Sequence, residues 1–164
     1  MSRELRFLEK LETIIPGFRG YKRKELLRED DRLVREKVAS ILEDSKRSLE
    51  RIMPAATGNF EVMELMDKTR KKLMMVISMV KHAPHGYSGY YDRVKIREEE
   101  LKKILEYDYN LIKDASEIMN LMEELRGSMS DTDLLKRKLT SITERLERID
   151  SLIRERDRLF KVAE

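Results

Sequence analysis

From Leu135 onward the chain carries apolar residues at alternating intervals of four and three, Leu135, Leu139, Ile142, Leu146, Ile149 and Ile153, and the rhythm continues through Arg156 to Phe160. Only an α-helix puts such a series on one face. A helix with one apolar seam must bury it against other helices, so this stretch alone predicts a bundle. Ser130-Asp131-Thr132-Asp133, just ahead of it, has a capping-box pattern and marks its start. Glu144/Arg148, Asp150/Arg154 and Asp157/Lys161 are i,i+4 pairs that read as its outer face.

The rest of the chain supplies the partners. Leu5, Leu8, Leu11 and Ile15 mark a short first helix that Pro16-Gly17 ends. A second helix is predicted from about Tyr21 to Ile52, with the stripe Leu26/Leu27, Asp30, Leu33/Val34, Val38, Ile41/Leu42, Ser45, Leu49 and Ile52. Pro54-Ala55-Ala56-Thr57-Gly58 breaks the pattern, and Thr57 or Asn59 caps a third helix from about Asn59 to Lys81. Met63, Met66, Met74, Met75 and Met79 recur in it at helical spacing, which reads as core rather than as an adaptable groove. Residues 82–96 form the longest irregular stretch. A fourth helix, about Arg97 to Arg126, opens on Glu98-Glu99-Glu100, where acids suit the positive end of the helix dipole, and Gly127 stops it. Its seam is Leu101, Ile104, Asp108, Leu111, Ala115, Ile118, Met122 and Leu125. The expected fold is all-α: one domain over residues 1–164, an antiparallel bundle of four long helices with the short N-terminal helix packed across an end or side. If the long helices run up, down, up, down, the second and fourth begin at the end where the fifth finishes.

Charged residues make up 41% of the chain, but the signs are interleaved and the net charge is only +3, which argues against whole-molecule attraction to nucleic acid or to a membrane. Any phosphate-type anion would have to be bound locally. There is no Cys, hence no disulfide, thiolate nucleophile or Cys-ligated zinc, and no apolar run of membrane-spanning length. The charged start Met1-Ser2-Arg3-Glu4 lacks the apolar segment of a secretory signal and points to the cytoplasm. Gln is absent, and with the density of Glu, Lys and Arg this is compatible with a thermophilic source.

Gly17-Phe18-Arg19-Gly20-Tyr21 returns as Gly86-Tyr87-Ser88-Gly89-Tyr90, each copy behind a proline (Pro16, Pro84) and ahead of a long helix. In the expected topology the two turns share one end, where Phe18, Tyr21, Tyr87 and Tyr90 would form an aromatic cluster. Arg19, Lys22, Arg23 and Lys24 crowd the same helix start, against its dipole, and are the candidate anion site; the competing reading is cations that splay into water or pair with acids of the first helix. His82 and His85, with Asp92 nearby, are read as loop histidines, and Glu61, Glu64 and Asp67 as a solvated face like Lys68, Lys71 and Lys72. No metal, cofactor or catalytic constellation is assigned.

Three charges interrupt apolar stripes. Asp30, Arg70 and Asp108 all fall ~14–17 Å below the shared end at the helical rise of ~1.5 Å per residue, with Arg156 a second cation nearer that end. Isolated buried charges are too costly to persist, so a buried polar layer is expected in which Arg70 bridges Asp108, Asp30 or both, setting helix register or holding a ligand.

Pro16-Gly17-Phe18-Arg19-Gly20-Tyr21, Lys24-Glu25, Arg28-Glu29-x-Asp31-Arg32-Leu33-Val34-Arg35, the segment Gly86 to Asp92 and Glu106-Tyr107-Asp108 together resemble a group of prokaryotic helical proteins with a Pro-Gly-Tyr-x-Gly-Tyr opening and a later Gly-Tyr-x-Gly segment. Phe18 stands where that group has Tyr, and Asp30 where it has a small residue. The resemblance implies a helical fold and no activity. Two functions follow from the residues: a non-enzymatic interaction or assembly module that meets a protein partner or a second copy, or an anion- or nucleotide-binding protein, metal-dependent hydrolysis included, using the glycine-aromatic end.

Overall fold

The computed structural model describes residues 3–21, 27–82 and 98–162, and those residues are mostly helical with no strand among them. The helices are α1 (Arg3–Ile14), α2 (Leu27–Ile52), α3 (Phe60–Lys81), α4 (Glu98–Gly127) and α5 (Thr132–Val162), with a 3-10 turn at Met53–Ala56 after α2. α2 packs against α3 and α4, and α5 packs against the same two, so α2 and α5 face each other diagonally, as do α3 and α4. α1 lies along α4, with the Phe7 and Tyr109 rings 5.2 Å apart.

Side-chain contacts fix the directions. Lys136 pairs with Glu61, joining the starts of α5 and α3, while Arg35 near the start of α2 donates to the carbonyl of Val80 near the end of α3. The long helices therefore alternate up and down along the chain, but in space α2 lies beside α4, and α3 beside α5, as parallel neighbours.

The α5 seam is buried within the subunit: Leu135, Leu139, Ile142, Leu146, Ile149 and Ile153 are at most 3% exposed. They meet Val38, Leu42 and Leu49 of α2, Met66, Leu73 and Val76 of α3, and Ile104, Ile118 and Leu125 of α4 in one continuous core. Each such side chain contributes about 1.5–3 kcal/mol of transfer free energy, and this, rather than helix propensity, holds helices with so many exposed charges together.

The helix limits differ from expectation in instructive places. α2 is described from Leu27 and does not include Tyr21, because Tyr21 adopts φ +57°, a left-handed conformation that no right-handed helix can include. α5 is capped by Asp131, whose Oδ1 accepts from the Leu134 amide at 3.0 Å, rather than by Ser130. Of the two candidates at α3, Asn59 is the cap, accepting from the Val62 amide. Met66 is core and Met63 and Met79 pack against it, but Met74 and Met75 are each 48% exposed, a correction to their reading as core.

Candidate functional site

The polar layer is present at the end where α2 and α4 begin, with a different membership from the one expected. It starts in the turn after α1. Gly17 and Gly20 take φ +88° and +67°, which favours glycine at both, and a Cβ on Gly20 would lie 2.2 Å from Leu8 Cδ1, so the end of that α1 side chain would have to shift. The turn folds back over the start of α2, and Asp30 receives it: the Arg19 amide donates to Oδ1 at 3.0 Å and the Tyr21 amide to Oδ2 at 2.7 Å. Asp30 is 1% exposed; burial raises its pKa, against the downward pull of these two N–H groups.

Tyr21 pays the left-handed penalty, about 1–2 kcal/mol, and gains an inward phenol. Its ring stands edge-on to Phe18, with centroids 5.4 Å apart. Its hydroxyl donates to Asp108 Oδ2 at 2.6 Å and accepts from Arg156 Nη2 at 2.8 Å. Arg156, 1% exposed, also donates through Nε to Asp108 Oδ1 and through Nη1 to Asp31 Oδ1. Asp31 faces Arg35 Nε at 3.2 Å, and Arg35 Nη2 meets Asp157 Oδ1 at 2.6 Å. Carboxylates and guanidiniums thus alternate in one chain, Asp108, Arg156, Asp31, Arg35, Asp157, drawn from α4, α5, α2, α2 and α5, with the α3 carbonyl of Val80 on its flank.

Burial pushes Asp108 upward, opposed by Arg156 and by the Tyr21 hydroxyl. Burial also holds the Tyr21 phenol well above its usual range, so it stays a neutral donor. Desolvation alone would lower Arg156, but Asp108, Tyr21 and Asp31 around it carry it well above the ordinary value, so its charge is permanent.

Of the residues expected in this layer, Asp30, Asp108 and Arg156 are in it and Arg70 is not. Arg70 sits on the outer side of α3, 31% exposed, donating to Asp67 on its own helix at 2.8 Å. Both its depth and its azimuth differ from expectation: the layer meets α3 at Val80, ten residues and about 15 Å further along the helix, the inward residues of α3 are Met66, Thr69, Leu73, Val76 and Val80, and position 70 is rotated by about 100° from position 69. Asp31 and Arg35 take its place. The signal was legible, since Asp31 lies three and seven residues before Val34 and Val38 of the α2 stripe. Asp157, expected on the outer face with Lys161, turns instead to Arg35, and the Lys161 side chain lies outside the described residues.

The aromatic cluster is described only in its first half, because Tyr87 and Tyr90 lie outside the described residues, as do Lys22, Arg23 and Lys24 of the candidate anion site. Arg19 is exposed, and the amides beside it are already occupied by Asp30, an internal anion in the place where a phosphate was expected. His82 Nδ1 lies 2.8 Å from the Ser78 carbonyl, and His85 and Asp92 are outside the described residues. Glu61, Glu64 and Asp67 pair with Lys136, Lys68 and Lys71, and no group of three potential metal ligands occurs among the described residues. No described helix is long and apolar enough to cross a membrane.

The chain matches no known family, curated protein or solved structure. Its chemistry must be read from its own geometry. A cleft between α2 and α3 reaches the outer edge of the ion chain, lined by Asp31, Glu36 and Glu43 against Arg32, Arg35 and Lys81, a balance that favours neither cation nor anion. What the buried network does is tie the α1–α2 turn, α2, α4 and α5 to one register, at a depth where a one-residue slip of any helix would strand a charge.

Proposed function

We propose that this chain is a non-catalytic helical interaction or assembly module, in which the buried ion chain sets the register of a rigid scaffold and an outer helix face meets a protein. The observation that carries the reading is on α3: Phe60 is 85% exposed, and Met74 and Met75 further along the same helix are each 48% exposed. An aromatic ring left almost wholly in water adds nothing to folding, and aromatics and methionines are enriched where proteins meet. The polar cluster, by contrast, presents saturated Arg–Asp pairs and a neutral phenol, a set suited to holding helices together rather than to moving protons.

The test is photo-crosslinking in the expressing cell with a photoreactive residue in place of Phe60, against the same residue at the exposed position of Lys113 on α4. Protein adducts formed at position 60 and not at 113 are expected. Equal or absent adduct formation at the two positions would remove the reading.

A further inference from the structure

We infer that the occupant of the α3 face is a second copy of the same chain, docked as an antiparallel α3–α3 pair about a twofold axis that passes between Asp67 and Lys68. The inference rests on the interaction reading above and gives it a partner.

The outer stripe of α3 is chemically complementary to its own reversal. Asp67 and Lys68 lie at the centre; Glu64 and Lys71 stand three positions outside them, and Phe60 and Met75 seven. Turning a second copy end for end about that centre sets Asp67 against Lys68, Glu64 against Lys71 and Phe60 against Met75, acid to base or apolar to apolar in each of these three pairings. Met74 widens the apolar end. A twofold contact is isologous, so each pairing occurs twice. A parallel pairing would instead set Glu64 against Glu64 and Lys71 against Lys71, so the pattern also selects the direction.

The surface is available for this. Glu64, Lys68 and Lys71 have side chains 54%, 68% and 70% exposed. Within one copy Lys68 pairs with Glu64 at 2.9 Å and Lys71 with Asp67 at 2.7 Å. Both pairs survive docking, because each ammonium has further N–H groups and a carboxylate oxygen accepts more than one hydrogen bond, Asp67 included, whose Oδ1 already takes Arg70 and whose Oδ2 takes Lys71. α1 covers part of the outer side of α4, diagonally opposite, whereas no described element packs on the outer side of α3. The contact spans about 22 Å of one helix at the usual rise. One helix face is smaller than the roughly 1,200 Å² at which stable interfaces begin, so dilution should dissociate the pair and salt should weaken it.

Light scattering and sedimentation over a concentration series test the inference with two charge reversals, Glu64→Lys and Lys71→Glu. Each alone places like charges together at both symmetric contacts and should raise the dissociation constant about tenfold or more. Mixed in equal amounts, the two variants should recover association, since the two basic positions of one copy then face the two acidic positions of the other. Circular dichroism confirms that each variant remains helical, as exposed substitutions should. Wild-type protein that is still a monomer at about 1 mM would overturn the inference. So would a dimer indifferent to both reversals, in which case association uses another surface and the interaction reading stands. Crosslinks from position 60 that carry only a mass other than that of this chain would likewise remove the second copy and leave the module.

Discussion

The hydroxyl of Tyr21 donates to Asp108 at 2.6 Å across 87 residues of chain, joining the turn after α1 to the interior of α4. Arg156 closes the triangle from α5. The contact explains why a tyrosine occupies a left-handed position: the strain is offset by a hydrogen bond between a neutral donor and a buried carboxylate, the stronger class of such bonds.

Arg156→Met should destabilise the protein by about 3–5 kcal/mol, because it leaves Asp108 and Asp31 buried without their shared cation. Arg156→Lys should recover little, since one ammonium cannot reach Asp108, Asp31 and the Tyr21 hydroxyl as the guanidinium fork does. Arg70→Met should leave the urea midpoint close to that of the wild type. Equal losses at positions 70 and 156 would contradict the structure.

Tyr21→Phe keeps the ring against Phe18 and removes only the hydroxyl. The expected cost is about 1–3 kcal/mol in urea unfolding, the penalty for a buried acceptor left short of a donor. A neutral result would show that the phenol is dispensable to the layer.

At Gly20, alanine meets both the φ of +67° and Leu8 Cδ1, so Gly20→Ala should cost about 1–2 kcal/mol or more. At Gly58 nothing lies within 4 Å of an added Cβ, and Gly58→Ala should be neutral or slightly stabilising. Thermal melts of the two variants should move in different directions or by clearly different amounts.

Asp114, 1% exposed on α4, faces Arg145 at 3.1 Å and Arg148 at 3.2 Å from α5, with Glu117 beside it. Its Oδ2 is buried without a hydrogen bond, since the Arg148 Nε is near but not aligned to donate. Burial raises its pKa, more than the two arginines lower it. The folded chain therefore holds this proton more tightly than the unfolded chain does, and the group's contribution to stability is greatest below about pH 4 and declines as pH rises from there towards the raised value. Asp114→Asn should gain stability relative to the wild type across that interval, measured by urea unfolding at successive pH values. Parallel curves for the two proteins would refute the shift.

Helical periodicity, a property of consecutive residues, was enough to place five helices, to bury the α5 seam and to turn Asp30, Asp108 and Arg156 inward, because 3.6 residues per turn convert spacing directly into azimuth. Pro16-Gly17 marked its boundary by local chemistry alone, while at α3 local chemistry left Thr57 and Asn59 as alternatives and the folded chain uses Asn59. What spacing does not contain is the order of helices around the bundle. The arrangement with α2 and α5 on one diagonal is decided by tertiary packing, and in it the long Arg156 side chain reaches across the centre to Asp31. Arg70 failed on both counts: the layer lies level with Val80, ten residues and about 15 Å along α3 from position 70, and position 70 also stands one residue off the inward face. The left-handed Tyr21 was equally beyond local reading, because its conformation is unfavourable in isolation and is held by Asp30, Asp108 and Arg156, which reach it only once the chain has folded.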